Sequence, residues 1–348
     1  MTANGMQAPD RPGPNRPSAS RSRRAARWII ALVALVAAMT AAVYCVSRLT
    51  SSARAVRTLV FAEGDPAPLR PSGEIRIGAF NIAHGRGPEL GATNWQGRTR
   101  GELIAHLDAI ARQIRRADLD VVVLNEVDFS AAWSGHFDQA EFVARRAGYR
   151  HLVEQRNYDL RFPFLEFAFG NAVLSRFPVV ETRFLDLPAA SPWEDRLAGH
   201  HDALWVALDA ASGLLGVVAV HLEYRSEKVR VAAAKTFLDL KARSGIPIIL
   251  AGDFNSTPGA YPGHHVTASG QNAIDVLTEN GGFVVDPRIA PVESAFTFPA
   301  AGPARVIDWV LATPDLEVTS WVVPSALSDH LMVAASVRPA TRGLRPRG

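Results

Sequence analysis

Cysteine is nearly absent: Cys45 is the only one in 348 residues. No intramolecular disulfide can form, so the fold must rest on its apolar core. A disulfide-free exported chain suits a bacterium better than a eukaryotic secretory route. There is also no Cys or His–Cys cluster of the kind that binds zinc. Basic residues are scarce where a nucleic-acid surface would need them. Residues 1–57 hold nine arginines against Asp10 alone, while the rest of the chain holds 28 basic and 33 acidic residues. The overall charge of +3 therefore belongs to the N-terminal segment. A mildly acidic remainder lacks the clustered Lys and Arg of sequence-independent phosphate contacts, which weighs against a DNA enzyme.

Charge is missing altogether from Trp28 to Val46 (WIIALVALVAAMTAAVYCV). Nineteen uncharged residues can cross a hydrocarbon core of roughly 30 Å as a helix. Trp28 and Tyr44 stand near its ends, where aromatic rings favour the interface, and six arginines precede it. The positive-inside bias puts the N-terminus in the cytoplasm and the bulk of the chain outside. A cleaved signal peptide and a buried core helix are the alternatives. The apolar run is long for the first and shows no polar face for the second. The expected organisation is a basic disordered cytoplasmic tail (1–27), a transmembrane signal-anchor helix (28–49), a linker (50–73) ending in the Pro/Gly-rich EGDPAPLRPSG, one catalytic domain (74–340) and a C-terminal tail (341–348).

Within that domain the pattern is α/β, with more strands than helices. Helices are expected at Arg100–Arg116, Gln139–Gly148 and Lys228–Arg243. Strands are expected at Ile75–Phe80, Asp120–Glu126, Asn171–Ser175, Leu204–Asp209, Gly216–His221, Pro247–Ala251, Arg305–Leu311, Val318–Val323 and Leu331–Val337. The order is not a regular βαβ repeat, so a doubly wound sheet fits poorly.

Several apolar strands end in, or carry, a polar side chain: Asn81 after IRIGAF, Glu126 after DVVVL, His221 after GVVAV, Asp253 and Asn255 after PIILAG, and Asp308 within RVIDWVL. Asp329–His330 precede the last strand. Strand ends grouped at one rim give a site a rigid scaffold. The oxygen donors among these residues suit Mg²⁺, Mn²⁺ or Ca²⁺. An Asp-oriented His suits the proton transfer that phosphoester hydrolysis needs.

Taken in order, NIAHG (81–85), LNEVD (124–128), GNAVLSR (170–176), VAVHL (218–222), AGDFNSTPG (251–259), VIDWVL (306–311) and SDH (328–330) resemble the motif series of the endonuclease/exonuclease/phosphatase superfamily. The resemblance implies a DNase I-like four-layer α/β sandwich, two mixed β-sheets flanked by helices, with the site at one rim. It also implies Mg²⁺ (or Mn²⁺) on Glu126, helped by Asn81 and Asp329. Asp253 would orient or activate water, and Asn255 would bind a phosphoryl oxygen. His330 would act at the scissile phosphate with its tautomer fixed by Asp308, and His221 would serve as acid or phosphate donor. The expected activity is hydrolysis of a phosphoester, most simply a phosphodiester, in a lipid headgroup, nucleotide or nucleic acid. An extracytoplasmic nuclease is the alternative, and a non-catalytic tethered binding protein the further one.

Weaker candidates are His84 and Arg86 for a substrate phosphate, and Asn171 beside the site. Arg225 and Arg230 read as helix-surface charges, and the pairs His200–His201 and His264–His265 as loop residues. The aromatic stretch Asn157–Phe169 reads first as core packing and second as the lining of a cleft or interface.

Overall fold

The computed structural model describes residues 19–50, 55–66, 70, 73–95, 97–162, 165–191, 201–210, 212–286 and 292–340. Of the expected disordered tail 1–27, residues 1–18 lie outside the described residues, as do the tail at 341–348 and His200, while residues 19–27 are helical. The chain forms two compact units, divided between Thr50 and Ser51.

The first unit contains α1 (Ala19–Thr50). Its segment Arg23–Ser47 is long and apolar enough to cross a membrane, and none of its most apolar stretch is buried. A buried core helix is thereby ruled out; a membrane span and a signal sequence remain.

The second unit is built on two sheets. One runs in the order β1 (Val56–Val60), β4 (His151–Phe162), β5 (Leu165–Ser175), β3 (Val121–Ala131), β2 (Ile75–Asn81), β13 (Met332–Pro339), β12 (Leu316–Val323). The other runs β10 (Val284–Val285), β11 (Asp308–Ala312), β9 (Ile248–Asp253), β8 (Gly213–His221), β7 (Ala203–Ala210), β6 (Val179–Leu185). Each sheet is mixed, with one parallel pair: β2 with β3, and β8 with β9.

Side-chain alternation along the strands divides the core. Ile75, Ile77, Val121, Val123, Val173, Val217, Ile249 and Val310 meet between the sheets. The opposite face of the first sheet packs on α2 (Arg100–Ala117) and α3 (Gln139–Ala147) through residues such as Leu107, Ile110 and Val143. The outer face of the second packs on α4 (Glu227–Arg243) and α5 (Ala273–Thr278) through Phe237 and Leu277. The result is the expected four-layer sandwich. Helix ends follow local chemistry: Thr99 and Glu102 form a capping box on α2, and Asp138 caps α3.

Three expectations are revised. β1 lies within the stretch read as linker and pairs antiparallel with β4, so the sheet begins well before residue 74. The β4–β5 hairpin is longer than the expected strand at 171–175. The sequence of β4 hides it, because Glu154, Gln155, Asn157 and Asp159 are polar yet buried. Arg230 is no surface charge: it is buried and donates to Glu227 at 2.6 Å and to the Glu223 carbonyl at 2.7 Å.

Candidate active site

Period-two alternation carries Asn81, Asn125, His221, Asp253 and Asp308 onto the same side as the apolar residues that meet between the sheets. They sit at one rim of that layer. Register puts them side by side: His221 is opposite Asp253, Asp308 is opposite Asp253, and Asn81 is opposite Asn125.

Glu126 needs a further device. On strict alternation it would point into the helix-packed face with Val122 and Leu124. A register shift between Leu124 and Val127 leaves Asn125 and Glu126 to face one residue, Asn171, and Glu126 adopts φ 51°. This bulge re-aims the carboxylate to the rim. A left-handed backbone at a carboxylate is strained and is held by its surroundings. Asn255 has a similar φ of 50°. Gly252 is required by space: a Cβ there would overlap the Val220 carbonyl oxygen.

The side chains converge. Asn81 Nδ2 donates to Glu126 Oε1 and to Asp253 Oδ2, both at 3.1 Å. His221 Nε2 lies 4.0 Å from Glu126 and 3.8 Å from Asp253 Oδ2. His330 Nε2 lies 3.8 Å from the same Asp253 oxygen, and its Nδ1 is 3.0 Å from Asp308 Oδ2. Asp253 Oδ1 accepts from the Asn255 amide at 2.8 Å, and Asn255 Nδ2 donates to the Leu222 carbonyl at 3.0 Å. Asn171 is present too, as support: Asn125 Nδ2 donates to it at 2.8 Å, while Asn125 Oδ1 accepts from the Asp253 amide at 3.0 Å.

His84 and Arg86 reach the same rim. His84 Nδ1 pairs with Asp128 at 2.7 Å, and its Nε2 lies 3.5 Å from Glu126. Arg86 Nη2 stands 3.7 Å from both Glu126 Oε2 and Asp329 Oδ2.

Burial and charge shape the titration. Burial pushes Glu126 upward, but the His84, His221 and His330 imidazoles and the Asn81 amide outweigh it and bring the group down to about 2. Burial, with Asp308 nearby, pushes Asp253 up to about 7 against the pull of His330. Burial alone would lower His330; Asp308 and Asp253 raise it to about 10. Burial lowers His221. The rim thus holds a firm carboxylate, a carboxylate poised near neutrality and a cationic imidazole.

The carboxylates of Glu126 and Asp329 converge on one guanidinium nitrogen, so two oxygen donors already share a cation. That donor chemistry fits a hard dication. The side-chain carbonyl of Asn81 is taken by the Ala83 amide at 3.0 Å, so Asn81 would join the set only with its amide reversed. Asp253, Asp308 and His330 also bring ligand atoms within 4.8 Å of one another. Because His330 Nδ1 is committed to Asp308, that trio is better described as a hydrogen-bonded Asp308–His330 pair whose Nε2 faces Asp253 at 3.8 Å.

The Endonuclease/Exonuclease/phosphatase family profile matches residues 78–330. The chain belongs to that family. The family is hydrolytic and acts on phosphoesters. Among solved structures, an endonuclease/exonuclease/phosphatase from Beutenbergia cavernae is 26% identical, covering 77% of this chain and 72% of its own, with a TM-score of 0.59. One from Bacteroides vulgatus is 21% identical over 77% and 99%, with a TM-score of 0.55. The human Nocturnin catalytic domain, with a bound sulfate anion, is 18% identical over 82% and 98%, with a TM-score of 0.54. No curated protein matches the chain.

Sequence reasoning passes over Asn125, Asp128 and His201. Asn125 stands inside LNE, where an amide has no periodic signal. Asp128 follows the bulge and so faces His84 unexpectedly. His201 reads as plain loop, yet its ring lies 5.7 Å from His221, edge to face. His264 and Arg225 stay outside the cluster, bonded to the Tyr261 carbonyl and to Glu223.

Proposed function

We propose that this chain is a divalent-metal-dependent phosphodiesterase, anchored in the membrane by α1 with the catalytic unit outside the cytoplasm. The observation that carries this reading is the single Asp253 Oδ2 atom, flanked at 3.8 Å by both His221 and His330 and bonded to Asn81. Asp253, poised near neutrality, takes the proton of the attacking water. As the water oxygen bonds to phosphorus, His330 offers Nε2 to the phosphoryl oxygens, its cationic form held by Asp308. The bond to the leaving oxygen breaks, and His221 hydrogen-bonds to that oxygen. Asn255 binds a phosphoryl oxygen. Glu126 and Asp329 would hold Mg²⁺ or Mn²⁺, which when bound supplies charge neutralisation at the phosphate. Asn81 keeps Glu126 and Asp253 together. The sulfate held by the Nocturnin domain suits an oxyanion site on this fold.

Arg86, Arg98 and Arg100 line one cavity with His84 and Trp133. They favour a nuclease as the second reading. The test is a substrate panel with the full chain in detergent: an aryl phosphodiester, an aryl phosphomonoester, DNA and RNA, each with Mg²⁺, Mn²⁺ or EDTA. Metal-dependent diester cleavage is expected. No turnover with any cation removes the reading.

A further inference from the structure

The chain enters the catalytic unit at the rim that carries the site. Val56, the first residue of β1, pairs with Gln155, which pairs with Asn171, the residue opposite Asn125 and Glu126 across the bulge. Ala55 accepts from the Arg156 amide at 3.3 Å. Only residues 51–55 stand between the end of α1 and β1.

Beyond that level β4 and β5 continue, and an aromatic wall grows on them. Trp133 lies 4.8 Å from Phe167 and 5.8 Å from Phe169, ring to ring. Trp95 stands edge-on to Trp133 at 6.1 Å and to Phe167 at 6.2 Å. At its inner end the wall meets His84, 5.1 Å from Phe169, and His84 faces Glu126. At its outer end it is open to solvent: Trp95 is 61% exposed and Leu165 44%, with Leu90, on the same loop as Trp95, at 63%.

Exposed Trp and Leu side chains that continue an aromatic wall beside a polar cleft mark an interaction surface. Trp is the residue that favours the bilayer interface. Trp95 and Trp133 can stack a nucleobase, but Leu90 and Leu165 cannot, and residues 58–348 carry more acidic than basic groups. We propose that this rim rests in the interface of the membrane to which the chain is tethered, and that the substrate is the phosphodiester headgroup of a bilayer lipid, led along the aromatic wall to the site. This rests on the hydrolase and anchor reading above.

The test uses the full chain in vesicles of phosphatidylcholine, phosphatidylglycerol and sphingomyelin. Two readouts are taken. First, with Trp28→Phe as background, phosphatidylcholine brominated on its acyl chains should quench part of the remaining fluorescence, and adding Trp95→Phe should lower that quenching. No quenching, or quenching indifferent to Trp95→Phe, overturns the docking. Second, Leu90→Ser with Leu165→Ser should lower release of the soluble headgroup from the vesicles by about tenfold, since apolar area sets interfacial binding. Turnover of a soluble aryl phosphodiester should stay within about twofold, because Leu90 and Leu165 stand at the exposed outer end of the wall and touch no residue of the reacting centre. Equal loss on both substrates overturns the proposal. Cleavage of the soluble diester or of a polynucleotide, with no lipid cleaved, overturns the lipid substrate while leaving the hydrolase standing. No turnover of any substrate overturns the hydrolase reading, and quenching still reports on the rim.

Discussion

His330 Nδ1 lies 3.1 and 3.0 Å from the two carboxylate oxygens of the buried Asp308, and this leaves Nε2 pointing at Asp253. A buried carboxylate in that position fixes the tautomer and favours the cation. Asp308→Asn keeps the shape and removes the charge. Steady-state kinetics on an aryl phosphodiester should show kcat lowered by about 10²-fold or more with KM little changed, by analogy with catalytic dyads. An unchanged kcat would make the pair structural.

Glu126 stays ionised far below neutral pH, and it shares Arg86 with Asp329. Mn²⁺ binding to the full chain, followed by electron paramagnetic resonance, should weaken by about 100-fold or more in Glu126→Gln, at least the loss seen when a residue supporting a ligand is changed. Glu89→Gln, a change of one acidic residue outside this cluster, should bind as the unsubstituted chain does. Equal affinity in Glu126→Gln would remove that residue from the ligand set.

Gly252 allows β9 to approach β8 where the site is built. In Gly252→Ala the new methyl collides with the Val220 carbonyl oxygen, in a backbone with φ 141°. Unfolding in denaturant should show a loss of about 2–4 kcal/mol. A change under about 0.5 kcal/mol, the range of ordinary surface substitutions, would mean that the strands separate easily.

Stability should fall with rising pH through one identifiable group. Burial, with Asp138 beside it, pushes Glu154 from 4.5 up to about 8. Between those values the folded chain holds a proton that the unfolded chain has released, so this group's contribution to stability declines as pH rises and levels off above about 8. Glu154→Gln removes the penalty. Denaturant unfolding at pH 4.5 should give the two proteins similar stability, whereas at pH 9 the variant should be more stable by a few kcal/mol. The opposite ordering at pH 9 would show Glu154 ionised and satisfied by Arg57, 3.5 Å away.

Much of this site is legible in the sequence because polar residues that close apolar strands stand out. Asn81, His221, Asp253 and Asp308 interrupt or end runs of Val, Ile and Ala, and alternation then dictates which face they take. Glu126 stands out at its strand for the same reason, but its means of reaching the rim does not. A bulge depends on the partner strand, and β5 beside it carries no mark in the sequence of β3. The hairpin β4–β5 is only half visible, since its buried Gln155, Asn157 and Asp159 look like a solvated surface until the opposing sheet covers them. β1 escapes a sequence reading because five residues with a mixed pattern become a strand only through pairing with β4. The helices α2 and α3, whose caps and apolar stripes are local, need no such context.

The most direct test is whether Glu126 and His330 act as one unit on one phosphate. Hydrolysis of an aryl phosphodiester in Mn²⁺ should be measured for the full chain, Glu126→Gln, His330→Ala and the double variant. Side chains that serve one transition state lose their effects non-additively, so the double variant should be no slower than about tenfold below the slower single one. Losses that multiply independently, or single variants with unchanged turnover, would contradict a common centre.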